Sequence, residues 1–329
     1  MQSNLWRHSE MGKLKTGFQR KIARKKLFQL ALIISSIAFL GCSEDAVEFE
    51  WRQLASGSEA HLYGVHFVDA KRGWAVGTDG VVLSTDNGGA NWASTSIAKN
   101  ALTQVHFTTP NNGWIVSIGT VLYTGSGGIS WKAQNANVKQ GLLDLHFVST
   151  TEGWAVGGKG TILHTETGGL RWEHQRSPSD KHLWGVHFVD NLHGWIVGEE
   201  GEVLYTKNRG KQWIPQQSGV EQPLFAIHFA TLKHGWIVGT NGLILHTTDS
   251  GQTWHRQKNP LKQNLRDVAF HNEKTGWAVG EKGLILHTTD GGTTWNRYPS
   301  PAQYNLQDIY LLKNAGWIVG AKGTILRSY

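Results

Sequence analysis

Histidine is the residue in this chain whose type and spacing come nearest to working chemistry. Five of the 16 histidines occupy one repeated position, His66, His106, His146, His187 and His228, each preceded by a branched aliphatic residue and followed by phenylalanine. Imidazoles delivered by several equivalent segments could ring a metal ion, for which neutral imidazole nitrogen is a good ligand. Two features argue against that use. No carboxylate or cysteine recurs with them, and each comes from a different copy of the repeat, so inheritance with the repeat accounts for the set. Imidazoles so placed can instead tie neighbouring strands by hydrogen bonds. His164, His246 and His287 form a second repeated set with the same explanation. The many glycine pairs are turn residues of the repeat rather than a phosphate-binding loop. The expectation is no metal, no cofactor and no catalytic residue.

The elements that carry these residues are legible at 276–295. Gly276-Trp277-Ala278-Val279-Gly280 alternates small and large residues as a strand does, and Gly-Leu-Ile-Leu-His-Thr at 283–288 is a second strand. The Gly-x-x-Gly step between them supplies the positive φ of a tight hairpin turn. Thr288-x-Asp290-x-Gly292-x-Thr294-Trp295 reads as a further turn, in which a short carboxylate caps loop amides. The Gly-Trp anchor recurs seven times, at Trp74, Trp114, Trp154, Trp195, Trp236, Trp277 and Trp317, always 40 or 41 residues apart. That period with about four short strands per unit predicts an all-β, seven-bladed β-propeller of four-stranded antiparallel blades. A second tryptophan returns at Trp92, Trp131, Trp172, Trp213, Trp254 and Trp295, and its seventh copy is Trp51 near the start. The N-terminal strand should therefore complete the last blade, closing the ring and removing its open edge. Each unit opens with a Leu-x-x-Val-x-Phe segment, expected to be the innermost strand.

Ahead of the repeat, eight basic residues between Arg7 and Lys26 precede an apolar run from Leu27 to Leu40 and then Gly41-Cys42. The run is short for a membrane span and suits a signal-peptide core. Phe39-Leu40-Gly41-Cys42 resembles a bacterial lipobox, which implies acylation of Cys42, anchorage to a membrane and export to the periplasm or cell exterior. The expected organisation is a signal peptide over 1–41, a polar tether over 42–48 and a propeller over 49–329. Cys42 is the only cysteine, so no disulfide forms within the chain. Residues 1–41 hold eight of the 32 Lys/Arg and one of the 25 Asp/Glu, leaving 24 of each afterwards. A neutral remainder excludes a nucleic-acid footprint.

The unit Gly-Trp-Ala-Val-Gly-x-x-Gly-x-Ile-Leu-x-Thr-x-Asp-Gly-Gly-x-x-Trp, nearly whole at 235–254 and 276–295, resembles the repeat of the photosystem II stability/assembly factor family. The resemblance implies a seven-bladed propeller on the lumenal or periplasmic side of a membrane that helps to assemble a membrane-associated protein complex. Photosynthetic members carry an arginine-rich patch, partly from the residue after Ile-Leu. Here that position holds Ser84, Tyr123, His164, Tyr205, His246, His287 and Arg327, so the patch is not reproduced there. The turn motif also resembles the Asp-box of sialidases, complete at Thr247–Trp254 and Thr288–Trp295, with Asn87, Ser126, Thr167 and Asn208 replacing the aspartate elsewhere. A sialidase would further need an arginine clamp, an acidic residue and a tyrosine nucleophile, and no such arrangement stands outside the repeat. The leading expectation is a monomeric, non-catalytic scaffold for protein partners; a glycan-binding or hydrolytic propeller is the alternative.

Recognition is expected where the copies differ most, in the connections from each outer strand to the next inner strand. These should share a face with the Gly-x-x-Gly turns and lie opposite the Asp-box turns. Residues 173–182 and 255–264 illustrate the divergence, and His255, Arg256, Lys258 and Lys262, with Arg266 just beyond, form the densest basic stretch after Cys42. They are the candidate partner-binding residues, suited to an acidic segment.

Overall fold

The computed structural model describes residues 50–329, which lie in one compact unit. The expected signal peptide, Cys42 and the expected polar tether lie outside the described residues.

Seven four-stranded antiparallel sheets follow one another around a ring. Blade one shows the pattern: Leu62–Phe67 innermost, then Gly73–Gly77, Val81–Thr85 and Ala93–Ser96 outermost. Blade seven is built from both ends of the described chain, with Leu306–Leu312, Ala315–Gly320 and Ile325–Ser328 completed by Trp51–Leu54. Trp51 pairs with Ser328 and Leu54 with Ile325, so the closing strand lies in full register, as the sequence predicts.

Blades pack through aromatic stacks. The Gly-Trp tryptophan of one blade lies flat on the inner-strand phenylalanine of the next, as in Trp74 on Phe107 at 3.5 Å and Trp236 on Phe270 at 3.5 Å. The second tryptophan of that next blade meets the same ring edge-on, as Trp131 meets Phe107 at 5.9 Å and Trp295 meets Phe270 at 5.8 Å. Trp114, Trp154, Trp195, Trp236, Trp277 and Trp317 are wholly buried, each burial contributing roughly 5 kcal/mol gross at ~25 cal/mol per Å². Trp92 and Trp131 are only partly covered, so the outer position is less uniform than the repeat suggests. Glycine precedes the buried tryptophan for a steric reason: a Cβ at Gly73 would overlap the Phe67 ring. Blade seven departs from the pattern because Leu311 replaces the phenylalanine; there Trp51 meets Trp277 edge-on at 5.5 Å.

Polar ties reinforce the seams. Trp114 Nε1 donates to the Gly168 carbonyl at 3.0 Å and Trp317 Nε1 to that of Gly88 at 3.0 Å, each bond reaching the turn of the following blade. Glutamines at the ends of the outer strands add a clamp: Gln257, just past His255–Arg256, donates to the Gly291 carbonyl at 2.9 Å and accepts from Trp295 Nε1 at 2.9 Å.

Both turn types form as the sequence predicts. In Gly-x-x-Gly turns the second x is also left-handed, as Asp79 (φ 57) and Lys282 (φ 56) show, followed by Gly80 (φ 67) and Gly283 (φ 68). In the Asp-box turns Asp290 accepts from the Thr294 amide at 2.9 Å and hydroxyl at 2.7 Å, and the Thr288 hydroxyl accepts from Gly292 N–H at 2.8 Å. Where aspartate is replaced, Asn87, Ser126, Thr167 and Asn208 take the same amide at 3.0, 3.1, 3.0 and 3.0 Å.

Candidate functional site

The inner strands place three layers of side chains along the central channel. A register shift between the first and third residues of every Leu-x-x-Val-x-Phe strand brings both the second and third positions toward the channel. The second position of all seven strands lines an open cavity of about 380 Å³, with Tyr63, Leu143, Trp184 and Phe225 forming its apolar part and Arg266 its cation. Inner strands begin where the outer-to-inner connections end, so this mouth opens on the face of the divergent connections and the Gly-x-x-Gly turns.

Beneath the mouth lie Gln104, Asp144, Asp267 and Asp308 from the third position. Asp144 accepts from Val186 N–H at 2.7 Å, Asp267 from Ile309 N–H at 2.9 Å and Asp308 from Val65 N–H at 2.7 Å, each reaching the next blade. Burial pushes the Asp144 carboxyl up to about 7, although the Val186 and Leu145 amides favour its charged form. Burial also raises Asp267 and Asp308, and Asp267 is raised further by the charge of Asp308 and the hydrogen bond between them. Asp267 therefore keeps a proton where an exposed aspartate would be ionised. The sequence contained this layer as charged residues interrupting an apolar strand. Only Asp144 shares its strand with a ring histidine, His146; Asp267 and Asp308 stand in the two blades where Ala269 and Tyr310 take the histidine position, so the carboxylates do not follow the histidines' pattern.

The third layer is the histidine ring. His66, His106, His146, His187 and His228 neighbour one another in that order with ring centroids 4.4, 5.2, 4.9 and 4.8 Å apart, and Tyr310 continues the ring 4.3 Å from His66. Phe107 N–H of the next blade donates to His66 Nδ1 at 3.4 Å, a cross-blade tie of the expected kind. Burial, with repulsion from His146, lowers His66 and His187 to about 3, so the ring is neutral at ordinary pH. The second histidine set stacks on the buried tryptophans, His164 on Trp154 at 4.7 Å and His287 on Trp277 at 3.9 Å. Among the described residues, Glu152, His164 and Glu166 form a group whose ligand atoms lie within 4.8 Å of one another. Arg209 already compensates it, with Nε 3.5 Å from Glu152 and Nη1 3.1 Å from Glu166.

The candidate partner-binding residues divide between three places. His255 and Arg256 are exposed and form the outer strand of blade five, while Lys258 and Lys262 are exposed on the connection that follows. Arg266 is on the next inner strand, in the channel mouth, where it pairs with Glu281 at 2.9 Å and lies 4.7 Å over the Phe225 ring. No ion pair holds Arg256, Lys258 or Lys262 among the described residues. The mouth aromatics Tyr63, Trp184 and Phe225 were not among the sequence candidates.

The model of the family described as photosynthesis system II assembly factor YCF48 matches residues 43–133, 97–174, 129–214, 171–259 and 254–329. No curated protein matches the sequence. A solved structure described as YCF48 bound to D1 peptide is similar with TM-score 0.73 and 21% identity, over 86% of this chain and 95% of that one. YCF48 from Cyanidioschyzon merolae gives TM-score 0.73 and 22% identity, over 84% and 98%. Selenomethionine-substituted virginiamycin B lyase from Staphylococcus aureus gives TM-score 0.75 at 12% identity, over 85% and 99%, which is a likeness of fold alone.

Proposed function

The chain belongs to the photosynthesis system II assembly factor YCF48 family, and on that premise we propose that it is a monomeric, non-catalytic scaffold that binds a segment of a membrane-associated protein and assists the assembly or stability of that protein's complex. The observation that carries the proposal is the channel mouth. Its open cavity of about 380 Å³ offers Tyr63, Trp184 and Phe225 as apolar contacts, with amide and carboxyl groups beneath to fix a peptide's polar atoms. A fold relative described as bound to a D1 peptide supports a peptide as the kind of ligand. Arg256 on the outer strand of blade five and Lys258 and Lys262 on the connection that runs in to the Arg266 strand would attract an acidic part of the partner.

Cys42 is the membrane anchor in this reading, because Gly41-Cys42 follows a short apolar core behind a basic segment. Acylation would hold an exported propeller beside its partner without a transmembrane helix. Cys42→Ser should leave the protein soluble or unprocessed, and unchanged membrane partition would contradict the anchor.

Binding is tested by charge reversal at Arg256, Lys258 and Lys262, with Lys207 and Lys211 reversed as the control on the Asp-box face. Arg209 is excluded from the control because reversing it would abandon Glu152 and Glu166. Cross-linking to a defined, detergent-solubilised membrane partner, with no bilayer present, should fall for the first set and persist for the second, with melting temperatures unchanged. The opposite pattern would refute the assignment of the face.

A further inference from the structure

Large apolar side chains are distributed unevenly between the two faces. Of the eight that are exposed among the described residues, Ile129, Leu170, Leu192, Leu232 and Tyr329 sit on the face of the Asp-box turns. Ile129 and Leu170 are the extreme cases, each 90% exposed at the tip of its turn in two consecutive blades. The turn does not require them. The same tip position holds Ala90, Lys211, Gln252 and Thr293 in the other copies. Ile129 N–H reaches the Ser126 carbonyl at 3.4 Å much as Lys211 N–H reaches that of Asn208 at 3.2 Å. The turn therefore makes no use of an apolar side chain there, and the gathering of five such residues on one face marks an interaction surface.

A second observation says what covers this face. The third strand of blade seven ends at Ser328 on the Asp-box side, and Glu50 and Tyr329 exchange backbone hydrogen bonds of 3.1 Å there. Glu50, the first described residue, therefore stands on this face. Cys42 is eight residues earlier, within roughly 28 Å at ~3.5 Å per extended residue. Lys207, Lys211 and Lys233 are exposed on the same face, and among the described residues no ion pair holds them. Lipid headgroups suit such cations, and the apolar boundary beneath suits isoleucine, leucine and tyrosine.

We infer that the Asp-box face lies against a lipid bilayer, with Ile129 and Leu170 entering its interfacial layer. The channel mouth then points away from the bilayer toward the partner. The inference rests on the anchor reading for the leading face of the chain, and on Ile129 and Leu170 independently of it.

The test places an environment-sensitive fluorophore on Ile129→Cys in the full chain, with Ile118→Cys as the matched control, since Ile118 is 58% exposed but lies on the opposite face. Protein reconstituted in phosphatidylcholine vesicles with about one third phosphatidylglycerol should show a blue-shifted dye at 129 and an aqueous spectrum at 118. The same pair on a Cys42→Ser background, added to these vesicles, should bind more weakly and keep the pattern. Adding Leu170→Glu to that background should weaken vesicle binding about tenfold with melting unchanged. An aqueous spectrum at 129 in vesicle-bound protein, or equal shifts at 129 and 118, overturns the inference. Intact mass reports Cys42 acylation separately: an unacylated cysteine with a shifted dye at 129 refutes the anchor and supports this face.

Discussion

Removing the Trp51 side chain tests whether the ring is held shut by its first strand. Trp51 is 4% exposed and meets Trp277 edge-on at 5.5 Å, in the blade where Leu311 has replaced the usual phenylalanine. Truncating a buried tryptophan to alanine costs about 3–5 kcal/mol, the transfer loss plus the cavity left behind. For a unit of this size a loss of 1 kcal/mol lowers the melting temperature by roughly 2 °C, so Trp51→Ala should melt about 6–10 °C lower. Deleting residues 50–56 removes the same side chain and also bares the edge of Ile325–Ser328, so it should melt lower still and associate through the open edge. The assay is differential scanning calorimetry at fixed scan rate, with size-exclusion chromatography of the deletion variant. Ser94→Ala, on the exposed outer strand of blade one, is the control and should change little. A deletion variant that melts with the intact protein would refute closure by this strand, even though the pairing is geometrically complete.

Acidification should destabilise the fold. The ring imidazoles have folded pKa values below the unfolded ~6.5, so their stabilising contribution is complete above that value and is lost as pH falls toward about 3. Each imidazole then costs up to about 1.4 kcal/mol per pH unit, so His66 and His187 alone account for roughly 3 kcal/mol between pH 6.5 and 5. Asp144 works the other way, its stabilisation present at low pH and lost as pH rises from about 4 through about 7, but the five imidazoles outnumber the three raised carboxyls. A denaturant midpoint at pH 5 equal to or above that at pH 7 would contradict this balance. Asp290→Ala should cost about 1 kcal/mol, as lost side-chain caps typically do, and Asp290→Asn much less, because an amide oxygen serves the same turn at Asn87 and Asn208. Chemical denaturation of the two variants checks the order.

Much of this architecture was legible because the repeat states each position several times. Seven Gly-Trp anchors fix the blades, and the single outlying Trp51 identifies the closing strand. The cross-blade role of the inner histidines followed from their shared position, and the Phe107 amide on His66 Nδ1 is the bond that reading required. The channel mouth was not legible for the converse reason. Tyr63, Trp184 and Phe225 occupy a position that changes from copy to copy, and the register shift beside it removes the simple alternation that would have turned them away from the channel. Sequence density likewise grouped Arg266 with Lys258 and Lys262. The strand separates them, burying the guanidinium foot in the mouth against Phe225 and Glu281. The aspartate layer was visible residue by residue, but only the ring brings Asp267 and Asp308, from consecutive blades, into contact.

The central claim is that a partner segment is received at the channel mouth. It is tested most directly by installing a photo-cross-linking amino acid in place of Tyr63, and separately in place of Thr253 on the opposite face, in the full chain within its native membranes. The account predicts a discrete adduct to one membrane-associated protein from position 63, competed by a peptide of the cross-linked segment, and none from position 253. Adducts from 253 alone, or no competable adduct from 63, would contradict it.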